Sequence, residues 1–87
     1  MAEAHYIVAF LNKCTGKQFR AVESTLREVR ARLREESVTT IKHVIAMKCD
    51  EWLDDQKMKK FLRPDTLFNR TKFAQYVGEL PPDVEAA

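Results

Sequence analysis

Glycine is nearly missing from this chain, with two in 87 residues, while 45% of the residues are hydrophobic. That balance excludes a disordered low-complexity segment and favours a folded core, and helix-forming residues hold most of the polar positions, so an all-α fold is the economical expectation. Cysteine is as scarce. Cys14 and Cys49 lie far apart, and no cleavable apolar leader precedes them. They are expected as free, mostly buried thiols in a reducing cytoplasm rather than as a disulfide. No apolar run approaches the roughly 20 residues that a bilayer-spanning helix needs. Signatures of catalysis are missing too: there is no nucleophile elbow, no glycine-rich phosphate loop and no recognisable acid–base pair. His5, Cys14, His43 and Cys49 have none of the close spacings of zinc sites. Neither an enzyme nor a metal or cofactor is expected.

Charge of one sign is also lacking, since the total is only +2. The distribution is nonetheless uneven. Residues 20–34 carry five arginines against Glu23 and Glu28, residues 48–55 one lysine against four carboxylates, and residues 78–87 only acids. Residues 56–72 set Lys57, Lys59, Lys60, Arg63, Arg70 and Lys72 against Asp65 alone, a local charge of +5. The neighbouring stretch holds the only tryptophan, Trp52, and most of the other aromatics, Phe61, Phe68, Phe73 and Tyr76. An aromatic cluster and a basic surface must therefore coexist there.

At this length the chain is one small domain. Ile7, Phe10, Leu11 and Cys14 follow the spacing of one helical face, which predicts a helix over 3–13 stopped by Gly16. Val22, Leu26, Val29 and Leu33 predict a second, running to about Ser37. A third begins near Thr39 with a hydroxyl cap from residues 38–40 and passes through Ile41, Val44, Ile45 and Lys48 to Trp52 and Leu53, as the central core helix. Asp54 and Asp55 predict the start of a short fourth helix carrying Met58, Phe61 and Leu62 and ended by Arg63-Pro64. Pro64 opens a single turn, Asn69 caps a last helix with Phe73, Tyr76 and Val77, and Gly78 stops it. The expected architecture is a compact all-α domain of four or five short helices over 3–77, followed by a flexible acidic, proline-containing tail over 78–87.

The candidate binding residues are the cations. Arg27, Arg30 and Arg34 share one helical face, whereas Arg20 and Arg32 lie elsewhere. With Lys57, Lys59, Lys60, Arg63, Arg70 and Lys72 they would release phosphate counterions if the fold gathers them on one side. The plain alternative is a solvated charged surface. Trp52 and Phe61 would stack on unpaired bases if exposed, but the spacing of Trp52 with Ile41, Val44 and Ile45 favours a core role. Phe68, Phe73 and Tyr76 follow the same logic. Arg63, between Leu62 and Pro64, is equally suited to fix the turn by bonding a carboxylate or a helix C-terminus.

Residues 10–20 (FLNKCTGKQFR), 30–33 (RARL), Val44-Ile45, Glu51-Trp52, Lys57-Met58, 61–68 (FLRPDTLF) and Lys72-Phe73 together resemble the conserved C-terminal domain of phage replication proteins, the replisome organisers. The resemblance covers about residues 5–77, and its most specific piece is Leu-Arg-Pro-Asp-Thr-Leu-Phe. In that family the domain follows a winged-helix-like region that binds the replication origin, and the whole protein helps load the host helicase. No winged-helix region lies within these 87 residues. What the resemblance implies for them is a non-catalytic adaptor in phage or prophage DNA replication, in the cytoplasm of a bacterial host, with DNA, the replicative helicase or a helicase loader as partner. The competing expectation is a small phage protein that binds and inhibits or redirects a host protein without touching nucleic acid, for which the acidic tail and hydrophobics left exposed on so small a domain speak.

Overall fold

The structure, a computed structural model, describes residues 2–81. Helix α1 spans Ala2–Thr15 and buries Ala4, Ile7, Val8 and Leu11, one stripe at helical spacing. Gly16 ends it with φ at 74°, the left-handed conformation that other residues adopt only at a cost, and its N–H returns to the Asn12 carbonyl at 2.8 Å. The chain then folds back on α1. Both ends of the Asn12 carboxamide engage Phe19: Nδ2 donates to its carbonyl at 2.9 Å and Oδ1 accepts from its N–H at 2.8 Å.

Helix α2, Glu23–Leu33, is shorter than the spacing of its apolar residues predicts. Val22 lies outside it as an N-cap, 47% exposed, and residues 34–36 form a closing turn rather than further helix. Leu26 and Val29 enter the core. Arg32, three residues on, is buried too; its guanidinium donates to the Phe68 carbonyl at 3.2 Å and pairs with Glu35 at 3.2 Å.

Helix α3, Val38–Trp52, is the central element, packed on α1, α2 and α5. Its cap is Ser37, whose hydroxyl accepts the Thr40 N–H at 3.1 Å, and not a threonine as predicted. Ile41, Val44, Ile45 and Cys49 form the buried stripe, with Lys48 embedded in it. Among the described residues no helix is long and apolar enough to cross a membrane. Both cysteines are free; Cys49 is buried and Cys14 half-buried beside it, so burial and that neighbouring thiol push the Cys49 thiol up to about 11.

The helix predicted from Asp54 does not form. Asp55 instead turns its carboxylate onto the N–H groups of Lys57 and Met58, at 2.8 and 3.1 Å, an Asx turn that competes with helix initiation. Only a single 3-10 turn follows, Lys59–Phe61. Its geometry sends Leu62 alone into the core, while Met58 and Phe61 stay half-buried outside the cluster of packed apolar side chains.

Arg63 is extended, as a residue before proline must be, and Pro64 starts the one-turn helix α4, Pro64–Leu67. Leu67 and Phe68 are fully buried. Helix α5, Arg70–Gly78, begins where Asn69 Oδ1 accepts the Thr71 and Lys72 N–H groups, both at 3.1 Å, and buries Phe73 and Tyr76. It ends at Gly78 as predicted, although Gly78 keeps a negative φ and the cap is Glu79. Of the segment predicted as a tail, Glu79 bonds Lys48 and Leu80 packs on the core; residues 82–87 lie outside the described residues. The observed architecture is the expected all-α domain, with five α-helices among the described residues.

Candidate functional site

The 3-10 turn, α4 and the start of α5 frame an open hollow of about 280 Å³. Its aromatic walls are Trp52, Phe61 and Tyr76, its other apolar residue is Met58, and Arg63, Thr66 and Lys72 complete the rim. Trp52, the last residue of α3, is half-buried rather than enclosed, and its ring meets Tyr76 edge-on, centroids 5.9 Å apart and planes at 84°. Lys48 fixes this pair. Its ammonium lies 4.9 Å from the Trp52 ring centre and 4.5 Å from that of Tyr76, and it binds Glu79 at 2.7 Å and Glu51 at 3.0 Å. Burial alone would lower the Lys48 pKa, but the two carboxylates outweigh it and hold the amine above its ordinary value. Burial likewise raises the Tyr76 hydroxyl, against the opposing pull of Lys48.

Phe61 is the unusual wall. Two cations sit over its ring, Lys60 Nζ at 5.4 Å and the Arg63 guanidinium carbon at 5.3 Å. Arg63 is oriented by its Nε donating to Thr66 Oγ1 at 3.2 Å, a hydroxyl rather than the carboxylate or helix end predicted for it. It is exposed and also lines a second hollow, of about 270 Å³, with Phe19, Arg20, Val22 and Pro64. Lys17 reaches across from the α1–α2 connection and donates to the Lys59 and Leu62 carbonyls, both at 3.2 Å, closing off the 3-10 turn.

Of the predicted site residues, the fold brings Lys60 and Arg63 onto one ring and Arg63 and Lys72 onto one hollow. Lys57 and Lys59 are exposed on the same short segment, and Arg70 is exposed at the first position of α5. Arg27, Arg30 and Arg34 do not line this hollow; Arg30 is engaged with Glu23 at 2.9 Å, Arg27 is exposed on α2, and Arg34 is exposed in the turn that closes it. None of the four ion pairs among the described residues involves any of the six cations between Lys57 and Lys72, although the two pairs of Lys48 adjoin the Trp52 and Tyr76 walls. A third hollow, lined by Asp50, Glu51 and Glu79 beside His43 and Met47, has the opposite charge. Among the described residues no group of three or more histidine, cysteine or acidic side chains is placed to hold a metal.

Two residues that shape the site are not foreseeable as site residues from the sequence in the same degree. Lys48 carries a signal, a lysine on a buried stripe with a glutamate three residues on. Lys17 carries none, because its partners are backbone carbonyls more than 40 residues away.

Apart from the start of α1 before Ile7, the described helices and the hollow fall within the stretch matched by one protein family, the conserved phage C-terminus, which covers residues 7–78. The chain belongs to the conserved phage C-terminus family. No curated protein and no solved structure matches it. In this phage domain the matched stretch begins at Ile7, on the buried stripe of α1, and ends with the last residue of α5. The aromatic hollow and its cations are therefore part of the family's folded unit.

Proposed function

We propose that this phage domain is a non-catalytic adaptor in DNA replication that binds nucleic acid through the face around Phe61. The observation that carries the reading is a run of unpaired charge: Lys57, Lys59, Lys60, Arg63, Arg70 and Lys72 have no carboxylate partner among the described residues, and the one ion-paired cation beside the hollow, Lys48, is buried against Trp52 and Tyr76. Such cations gathered beside the half-buried rings of Trp52 and Phe61 suit a phosphate backbone, whose binding releases counterions. The resemblance of residues 62–68 to the replisome-organiser motif supports placing that activity in replication, with the replicative helicase or its loader as protein partner.

A protein partner without nucleic acid is the second reading. It has in its favour the hollow beside the 47%-exposed Val22, where Phe19 and Pro64 offer apolar contact. Salt separates the two. Titration of single- and double-stranded DNA at low and at moderate salt is expected to show binding whose logarithm falls linearly with the logarithm of salt concentration. Replacing Lys57, Lys59 and Lys60 together by glutamine is expected to lower the slope by about one unit for each phosphate that is no longer neutralised, with helical content unchanged. Failure of the wild-type domain to bind either DNA at low salt would sink the nucleic-acid reading and leave the protein partner.

A further inference from the structure

Phe61 is a large aromatic side chain, half-buried, that takes no part in the packed core. Fully enclosed aromatics such as Phe68 and Phe73 explain themselves by burial; Phe61 does not. It faces the hollow shared with Trp52 and Tyr76 and carries Lys60 and Arg63 over its ring. Resting on the nucleic-acid reading above, we propose that this hollow is the seat for one unpaired base of a single strand, with Arg63 and Lys72 taking the phosphates on either side of it.

Size, walls and charge each favour that occupant. At about 280 Å³ the hollow lies just below the usual volumes of small-ligand pockets, a size that suits one planar ring system. Its walls are π surfaces held still: Lys48 and two carboxylates anchor Trp52 and Tyr76, so neither of those rings has to be ordered when a base enters. Every base presents a π face, so such a seat is tolerant of sequence. The charged residues on the rim, Arg63 and Lys72, are both cations, and the Arg63 guanidinium is tethered through Nε, which leaves its terminal nitrogens to bond an oxyanion. A base-paired duplex has its bases stacked inward and offers this seat nothing.

Trp52 is the only tryptophan and lines the seat, so its emission reports occupancy directly. The full chain is titrated with an oligothymidylate of about 12 nucleotides, within the span that single-strand sites cover, with a duplex of the same length, and with thymidine monophosphate. Saturable quenching by the oligothymidylate is expected, with little quenching by the duplex at equal occupancy. Phe61→Ala is expected to weaken single-strand binding about tenfold or more while duplex binding stays within about twofold, and Phe61→Tyr to restore it. Because Phe61 lies outside the core, Phe61→Ala is expected to keep the wild-type circular dichroism and a cooperative melt lowered by no more than about 8 °C, which separates loss of the seat from loss of the fold. Equal binding of single strand and duplex with Trp52 unquenched and Phe61→Ala silent would overturn the seat and leave the nucleic-acid reading standing. Quenching by the mononucleotide as tight as by the strand would overturn it in favour of a free-nucleotide site. Absence of binding to all three at low salt would remove the nucleic-acid reading itself.

Discussion

Lys48 and Glu79 meet at 2.7 Å, joining the middle of α3 to the residue that caps α5. The lysine is almost wholly enclosed, with 4% of its side chain exposed, whereas Glu79 and Glu51 are each nearly half exposed. The arrangement shares one buried cation between two carboxylates that keep contact with water. Either carboxylate alone leaves the charge paired; only loss of both strands it in the core.

Glu51→Gln and Glu79→Gln are therefore expected to be mild singly, within about 1 kcal/mol each, and to cost about 3 kcal/mol or more together. Chemical denaturation of the two single variants and the double variant tests this as a double-mutant cycle, and simple additivity would contradict the shared-cation arrangement.

Alkaline pH is expected to erode stability before any acid effect of these groups. Lys48 is raised, against the opposing effect of its burial, by Glu79 and Glu51; Cys49 is raised to about 11 by burial and Cys14; Tyr76 is raised by burial. In all three the folded state keeps a proton that the unfolded chain has already lost. Stability is full below the unfolded values and falls as pH climbs through the folded ones. For Cys49 the fall starts near 9 and amounts to roughly 1 kcal/mol per pH unit up to about 11. Urea midpoints measured from neutral pH upward are expected to drop across that window, less steeply in Cys49→Ala; a flat profile would show that the thiol is not enclosed.

The two glycines are expected to respond in opposite ways to the same change. Gly16 sits at φ 74° with open space around it, so Gly16→Ala meets no steric neighbour but forces a left-handed alanine and costs about 1 kcal/mol. Gly78 has an ordinary helical φ and equally open surroundings, so Gly78→Ala stabilises by about 0.4–1 kcal/mol through the unfolded state. Thermal melts of the pair check this, and a shift of the same sign in both would refute it.

Among the aromatics the cost of truncation is expected to follow enclosure rather than size. Phe73→Ala, in the core, costs about 3–5 kcal/mol and leaves a marginal domain largely unfolded. Phe61→Ala costs no more than about 1 kcal/mol. Trp52→Ala falls between, since its ring is half-buried yet packs on the core and on Tyr76. Denaturant midpoints rank the three, and a Phe61→Ala cost equal to that of Phe73→Ala would place Phe61 in the core.

What is legible in the sequence is whatever a local rule decides. Asn69 before α5, Pro64 at the first position of α4 and Gly16 after α1 each act within a few residues of themselves. The apolar stripes of α1 and α3 follow from period alone. Errors arise where two local rules compete or where the partner is remote. Asp55 obeys the rule for an Asx turn rather than the one for a helix start, and that choice decides that Phe61 faces the hollow instead of the core. Arg32 reads as one more surface arginine until Phe68, 36 residues on, supplies the carbonyl that lets it be buried. The basic segment is visible as composition, but which cations share a hollow depends on the 3-10 turn, and no periodicity announces a turn of three residues.

Lys17 spends its ammonium on the Lys59 and Leu62 carbonyls and so fastens the cationic segment to the far end of α1. The proposed binding face is consequently not portable. A peptide of residues 51–73 would carry Trp52, Phe61 and the six cations from Lys57 to Lys72 but neither Tyr76, Lys48 nor Lys17, so its 3-10 turn would keep only its local bonds, and grafting it onto another scaffold would transfer the charge without the shape.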